Sequence, residues 1–180
     1  MNEIVITTKR LVLKPLGPEY LESTNAYALN RENARYMCFL PYRDSEETLA
    51  KLREFETEWA KEKPEYYEFA VLYEGRHIGG VSVYFEDGAG ELGWIIRKDC
   101  WGSGFAAEAA EALIDHFSEK GCTRFIAHCD TENKASCRVM EKLGMTRTAE
   151  YGGRKNRASE TESFEYRYEL VTAPFTSSGD

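Results

Sequence analysis

The segment Trp101-Gly102-Ser103-Gly104-Phe105-Ala106-Ala107-Glu108-Ala109 sits where two kinds of periodicity meet. Before it, Glu91-Leu92-Gly93-Trp94-Ile95-Ile96-Arg97 is a short β-rich run that reads as a strand. After it, Ala107, Ala110, Leu113, Ile114 and Phe117 recur at helical spacing and Gly121 supplies a stop, which predicts a helix from Gly104 to Lys120. A glycine-rich turn between strand and helix lets the backbone bend tightly and approach a ligand closely. The helix start adds unpaired N–H groups and the positive end of the helix dipole, a seat for a phosphate or pyrophosphate. Turns of this composition also serve chain reversal alone, so the flanking elements decide.

Upstream, the chain reads as hairpins. Phe69 to Tyr73 and Ile78 to Phe85 are apolar runs on either side of Glu74-Gly75-Arg76-His77, and Asp87-Gly88-Ala89-Gly90 is a second turn before Glu91. Connections this short join antiparallel strands. Arg10 to Leu16 alternates with period two up to Gly17-Pro18 and reads as a first strand, followed by a weaker helical stretch from Glu19 to Leu29. Asp44 stands three residues before Glu47, a capping box ahead of Leu49, Leu52, Phe55 and Trp59 on one helical face, closed by Pro64.

Downstream, the elements alternate. A strand is expected from Arg124 to Cys129, a helix from Asn133 to Leu143 ended by Gly144, and a last strand from Phe164 to Leu170. Tyr151 to Arg157 is expected as a flexible basic loop, either bordering an acceptor site or simply solvated. The sum is one mixed α/β domain over residues 1–171, hairpins first and then a β-α-β-α-β run. Residues 172–180 are expected to form a disordered tail.

Three phosphate-binding families own loops of this kind. A P-loop needs Gly-Lys-Ser/Thr, and no lysine follows Gly104. A dinucleotide fingerprint comes closer: Gly102, Gly104 and Ala107 satisfy G-x-G-x-x-A, and Asp130 ends the next strand, where a ribose-binding acid belongs. Against it, Lys98 to Trp101 separate the loop from its strand, and the preceding strands are hairpins rather than parallel crossovers. The third reading fits. Trp101 to Ala106 resembles the acyl-CoA loop of the GNAT superfamily, Gln/Arg-x-x-Gly-x-Gly/Ala, with Trp101 in place of the leading residue. Members of the ribosomal-protein N-terminal (Rim-type) branch often show W-G-x-G-Y/F-A-x-E-A, which Glu108-Ala109 completes. Asn133 to Met145 is similar to that branch's second signature, N-x-x-S-x-R/K-V-x-E-K-x-G-F/M, and Thr8 to Leu16 to its opening strand, T-x-R-L-x-L-R-x-L/F.

The resemblance runs from about Thr8 to Leu170. It implies the GNAT fold, a mostly antiparallel mixed sheet of about six to seven strands with helices on both faces. It also implies an N-acetyltransferase that moves an acetyl group from acetyl-CoA to an amine, on a small molecule or a peptide N-terminus. Trp101, Gly102, Ser103, Gly104, Phe105 and Ala106 would hold the pyrophosphate, and backbone groups of Trp94, Ile95 and Ile96 the pantetheine arm. Asn133 would cap its helix and bind that arm, while Arg138 would reach either an adenosine phosphate or solvent. Two residues stand as general-base candidates, Glu91 on one strand and His128 on the next; either would take the amine proton through water. Many members use as acid a tyrosine seven residues beyond the motif asparagine; here that residue is Met140, and the branch offers Ser136 instead. The loss of that tyrosine keeps open a second reading, an acyl-CoA-binding regulatory domain without turnover. Tyr27, Tyr36, Phe39 and Tyr42 fall where this fold builds its acceptor pocket. His77 and His116 read as packing or surface residues.

Composition bounds the partners. Of 180 residues, 42% are hydrophobic and 30% charged, a globular balance. No apolar run approaches a membrane span, and the N-terminus shows no secretion signal, so the expected compartment is the cytoplasm. A formal net charge of −8 argues against nucleic acid as a partner and is compatible with a cationic substrate. Five cysteines without a C-x-x-C pair point to reduced thiols and no metal site. A monomer or a homodimer is expected.

Overall fold

The computed structural model describes residues 4–173. The first hairpin joins β1 (Ile6–Thr7) to β2 (Leu11–Pro15). Two helices follow, α1 (Leu21–Ala28) and α2 (Ser45–Trp59), then the meander β3 (Tyr66–Tyr73), β4 (Arg76–Glu86) and β5 (Ala89–Ile96). The second half runs α3 (Phe105–Glu119), β6 (Arg124–Asp130), α4 (Lys134–Lys142), β7 (Thr146–Arg154) and β8 (Ser163–Val171). All eight strands form one sheet in the order β1-β2-β3-β4-β5-β6-β8-β7, antiparallel except at β5–β6. The mixed, mostly antiparallel sheet is as expected.

Two strands escape the sequence reading, β1 and β7. Strand β1 is only two residues long. Strand β7 is exposed at nearly every position, so it carries no apolar alternation from which its period could be read. Its last residues, Tyr151 to Arg154, were expected in a flexible loop and instead pair with β8. The order β6-β8-β7 lets the last strand enter beside β6 and pushes β7 to the edge.

Helices cover both faces, as the pleat of the strands dictates. On one face, Leu11, Leu13, Phe69, Val71, Val81, Val83 and Phe125 pack under α3 through Ala109, Ala110, Leu113 and Phe117. On the other, Ala70 and Leu72 meet Leu52 and Phe55 of α2, while Ile95 meets Tyr27 of α1 and Tyr42. Neighbouring residues of β3 and β5 therefore serve opposite layers. Asp44 caps α2 by accepting from Glu47 N at 2.9 Å. The return bond lands one residue early: Glu47 Oε2 accepts from Arg43 N at 2.7 Å.

The far end of the chain is tied to the sheet at Thr172, whose N–H donates to Thr123 O at 2.8 Å. The remainder of the expected tail, 174–180, lies outside the described residues. Among the described residues, no helix is long and apolar enough to cross a membrane, and no group of three or more His, Cys, Asp or Glu could hold a metal ion. The cysteines are free thiols, with Sγ of Cys129 and Cys137 3.6 Å apart in the core.

Candidate active site

Strand β5 keeps register with β4 along its full length, from Ala89 to Ile96, and β6 does the same with β8. Between themselves β5 and β6 pair at only three positions, Gly90↔Phe125, Glu91↔Ile126 and Leu92↔Ala127. Each strand follows its own ladder, so beyond Leu92 the two part and leave a wedge in the middle of the sheet. Its β5 wall is Gly93 to Ile96, where backbone groups without a strand partner can pair with an extended ligand. Trp94 and Ile95, whose backbone groups are expected to meet the pantetheine arm, stand on that wall. Ile96 is partly committed, because its carbonyl already accepts from Trp101 Nε1 at 2.7 Å and Asn33 Nδ2 at 2.9 Å.

The glycine loop lies at the wedge's end, after a short 3-10 turn over Lys98–Cys100. Gly102 and Gly104 have φ of 75° and 78°, the left-handed region that side chains disfavour. Gly104 is the residue preceding α3, and no side chain caps that helix. Its first-turn N–H groups at Phe105, Ala106 and Ala107 thus face outward without intrahelical partners. Ser103 lies between the two glycines, and the Trp101 ring is half exposed.

Two cations stand beside Gly104. A Cβ built there would meet Lys142 Nζ at 3.5 Å and Arg10 Nη2 at 3.6 Å. Glu108 fixes this arrangement: its Oε2 accepts from Arg10 Nε at 2.7 Å, its Oε1 from Arg10 N at 2.9 Å and from Thr8 Oγ1 at 2.6 Å. These bonds hold its carboxyl below the usual range, against the opposing effect of burial. The Arg10 guanidinium also lies over the Phe105 ring, 4.6 Å from its centroid. A groove of about 570 Å³ opens here, lined in part by Lys9, Arg10, Gly104, Glu108 and Lys142. Neither cation was singled out from sequence, although Arg10 lies in the T-x-R-L signature and Lys142 in the E-K-x-G one.

The structure brings the two general-base candidates together. Glu91 Oε1 and His128 Nδ1 are 2.8 Å apart, with the side chains 43% and 22% exposed. With Ile126 opposite Glu91, His128 lies two residues farther along the same strand, on the same face. The face is that of Ile95, under α1 and α2. Ser136 lies on the other side of the sheet. It lies in the first turn of α4, where its N–H donates to the capping Asn133 Oδ1 at 3.2 Å, and its Oγ accepts from Trp94 Nε1 at 3.3 Å. Trp94 belongs to the α3 face, packed against the main core. The wedge thus separates a carboxylate–imidazole pair on one face from a hydroxyl on the other. Arg138 is exposed on α4, and Met140 is fully buried in the core.

The expected basic loop has a different part. Arg154 is nearly buried: it pairs with Glu165, donates from Nε to Asn156 Oδ1 at 2.9 Å and from Nη2 to Tyr36 O at 2.8 Å. Asn156 Nδ2 donates to buried Asp130 Oδ2 at 2.5 Å. Arg157 binds Met37 O through its N–H and Phe39 O through its guanidinium, at 3.0 and 3.1 Å. Residues 154–157 are a strut that pins the segment between α1 and α2. Of the aromatics expected in that region, Tyr27 is buried and Phe39 is 80% exposed. His77 is buried in β4 between Ser23 Oγ and Gly79 O, each 2.7 Å away, and loss of hydration lowers its pKa to about 4.

Comparison with known proteins bears on the fold and the family. The model of an acetyltransferase (GNAT) domain matches residues 10–146. The uncharacterised N-acetyltransferase YnaD of Bacillus subtilis (strain 168) is 30% identical over 145 residues, 79% of this chain and 82% of the relative. The crystal structure of a GNAT-family acetyltransferase from Bacillus anthracis superposes with a TM-score of 0.78 at 25% identity, covering 93% of this chain and 98% of that one. RimL, a ribosomal L7/L12 alpha-N-protein acetyltransferase solved with coenzyme A, gives a TM-score of 0.84 at 16% identity over 94% of this chain and 98% of its own. The chain belongs to the GNAT acetyltransferase family.

Proposed function

We propose that the protein transfers the acetyl group of acetyl-CoA to a primary amine, on a small molecule or a peptide N-terminus, by direct attack on the thioester. The observation that carries the reading is the wedge, with Glu91–His128 on one face and Ser136 on the other. The residues fit the donor. Gly102 to Ala106 and the first turn of α3 would seat the pyrophosphate, with Arg10 and Lys142 as its counter-charges, a pair added to the expected set. The Trp94–Ile95 edge would hold the pantetheine arm; RimL, of the same fold, was solved with coenzyme A. A cytoplasmic place of work belongs to the same proposal.

In this mechanism the acceptor approaches from the α1–α2 face. Its ammonium loses a proton, through water, to the Glu91–His128 pair. The amine nitrogen then forms a bond to the thioester carbon, and a wedge N–H stabilises the oxyanion. As the carbon–sulfur bond breaks, the leaving sulfur takes a proton from Ser136 Oγ, and the proton shed by the newly acylated nitrogen returns through water to restore the serine hydroxyl. The second reading, an acyl-CoA-binding domain without turnover, draws on Met140 standing where many relatives carry tyrosine.

One experiment separates them. Acetyl-CoA at about 100 times its dissociation constant should stabilise the fold by roughly 2.7 kcal/mol, and NAD should not. Thiol release across N-terminal peptides, polyamines, amino acids and aminoglycosides then reports turnover. With an active amine, Glu91→Gln and His128→Gln should each lower kcat/KM by about 10²–10⁴-fold, and the double variant by scarcely more, because the pair acts as a unit. Stabilisation without thiol release from any amine favours the regulatory reading. Full activity in both single variants removes the pair from the mechanism.

A further inference from the structure

The sheet face that carries Glu91 and His128 holds a second polar group that acetyl transfer leaves unused. Across β3, β4 and β5, Tyr66 stands opposite Tyr84, and Tyr84 opposite Glu91, so the three share one face. The rings of Tyr66 and Tyr84 stack with centroids 4.6 Å apart and planes 16° from parallel. Tyr84 donates its phenol proton to Glu68 Oε1 at 2.6 Å. Among the described residues, no Lys, Arg or His pairs with the Glu68 carboxyl. A carboxylate drawn out of water without a cation is costly to keep ionised, and loss of hydration pushes Glu68 up to about 7. Such groups concentrate at binding sites, where a ligand supplies the missing charge. Tyr42, from the segment pinned by Arg154 and Arg157, and Tyr27 of α1 lie within the field of Glu68.

We propose that the acceptor is a dication whose reacting amine lies at Glu91–His128 and whose second ammonium lodges against Glu68 and the Tyr66–Tyr84 rings. The inference rests on the acetyl-transfer reading. Two strand spacings sideways and two residues along place the α-carbons of Glu68 and Glu91 roughly 12 Å apart, a gap within the reach of a linear diamine. The ammonium gains a carboxylate and an aromatic face together, and the net charge of −8 favours the approach of a cation. A peptide N-terminus with no second charge uses only half of this site.

The test is titration calorimetry into protein saturated with coenzyme A, using 1,6-diaminohexane and 6-aminohexan-1-ol, equal in length and different in one charge. The diamine should bind at least tenfold more tightly. Glu68→Gln keeps the shape and the Tyr84 bond, and should bring the two affinities within about twofold; Glu68→Asp, which keeps the charge, should retain part of the preference. Near pH 7 the diamine should also release a proton from Glu68 on binding, read as a buffer-dependent heat and absent in Glu68→Gln. The tyrosines facing Glu68 from α1, β3, β4 and the α1–α2 segment are all raised in pKa by burial, and Glu47 and Glu58 of α2 are already ionised, so none of these supplies that proton. Equal affinity for the two ligands in the wild type, or a preference that survives Glu68→Gln, overturns the inference. Thiol assays keep the two readings apart. Diamine preference without turnover on any amine defeats the transfer reading alone, whereas turnover on amines without diamine preference defeats this one alone.

Discussion

Alanine at Gly102 and at Gly104 makes a matched pair of perturbations. Their φ angles are 75° and 78°, so an added Cβ strains the backbone almost equally at either. That strain is about 1–2 kcal/mol for an L residue in the left-handed region, or a fall in Tm of about 2–8 °C for a domain of this size. Sterics of the free protein add little at either position. A Cβ at Gly102 meets nothing within 4 Å, and one at Gly104 meets only the flexible ends of Lys142 and Arg10, at 3.5 and 3.6 Å. The two variants should therefore melt within a degree or two of each other. They should differ once the donor is added. At Gly104 the new methyl group lies between the two cations and at the start of α3, in the space assigned to phosphate oxygens. Losing one charge-assisted phosphate contact costs about 1.5–3 kcal/mol, so Gly104→Ala should weaken acetyl-CoA by about 10- to 100-fold, and Gly102→Ala by much less. Thermal melts without ligand and calorimetric titration with acetyl-CoA read the two effects separately. Equal affinities in the two variants would refute the assignment of the phosphate seat to Gly104, and a large gap between their ligand-free melting points would refute the strain argument.

His77 should make the fold acid-sensitive. Its folded pKa, about 4 against 6.5, means that the unfolded chain binds more protons in that interval, so stability is present above pH 6.5 and is lost as pH falls toward 4. The loss amounts to about 3 kcal/mol; denaturant unfolding of the wild type and His77→Gln at pH 7.5 and pH 4 should show that the variant lacks this share, and parallel losses would exclude His77. Ser136→Ala should lower kcat and weaken the limb of the pH–rate profile assigned to the acid, with acetyl-CoA affinity scarcely changed. An unaltered profile would show that the departing sulfur takes its proton from another group.

Much of the architecture was readable in the chain because it depends on local periodicity. The meander β3–β5 follows from period-two runs with turns too short for crossovers, and α3 and α4 follow from a helical stripe with Gly121 and Gly144 as stops. The glycine loop and Ser136 were legible for a similar reason: each belongs to a contiguous signature whose spacing survives in one dimension. Strand β7 was not legible. It stands exposed at the sheet edge, so no buried face imposed a pattern on its residues, and its pairing with β8 depends on where the last strand inserts.

The rest depends on contacts between residues distant in the chain. Glu91 and His128 are thirty-seven positions apart and stood as rivals for one role, until the parallel register of β5 and β6 placed them in hydrogen-bond contact. Arg10 and Glu108 are separated by ninety-eight positions, and only the packing of α3 beside the first hairpin turns an arginine in a strand signature into a cation at the glycine loop. Glu68 is one acid among many in an acidic chain; that no Lys, Arg or His among the described residues pairs with its carboxyl is a matter of how α1, α2 and the sheet pack together. Sequence alone determined the family, the meander, the helices α3 and α4 and the glycine loop between β5 and α3, because those are carried by residues adjacent in the chain. The tertiary structure decided which groups face each other across the wedge, because strand register and helix packing set distances on which spacing along the chain is silent.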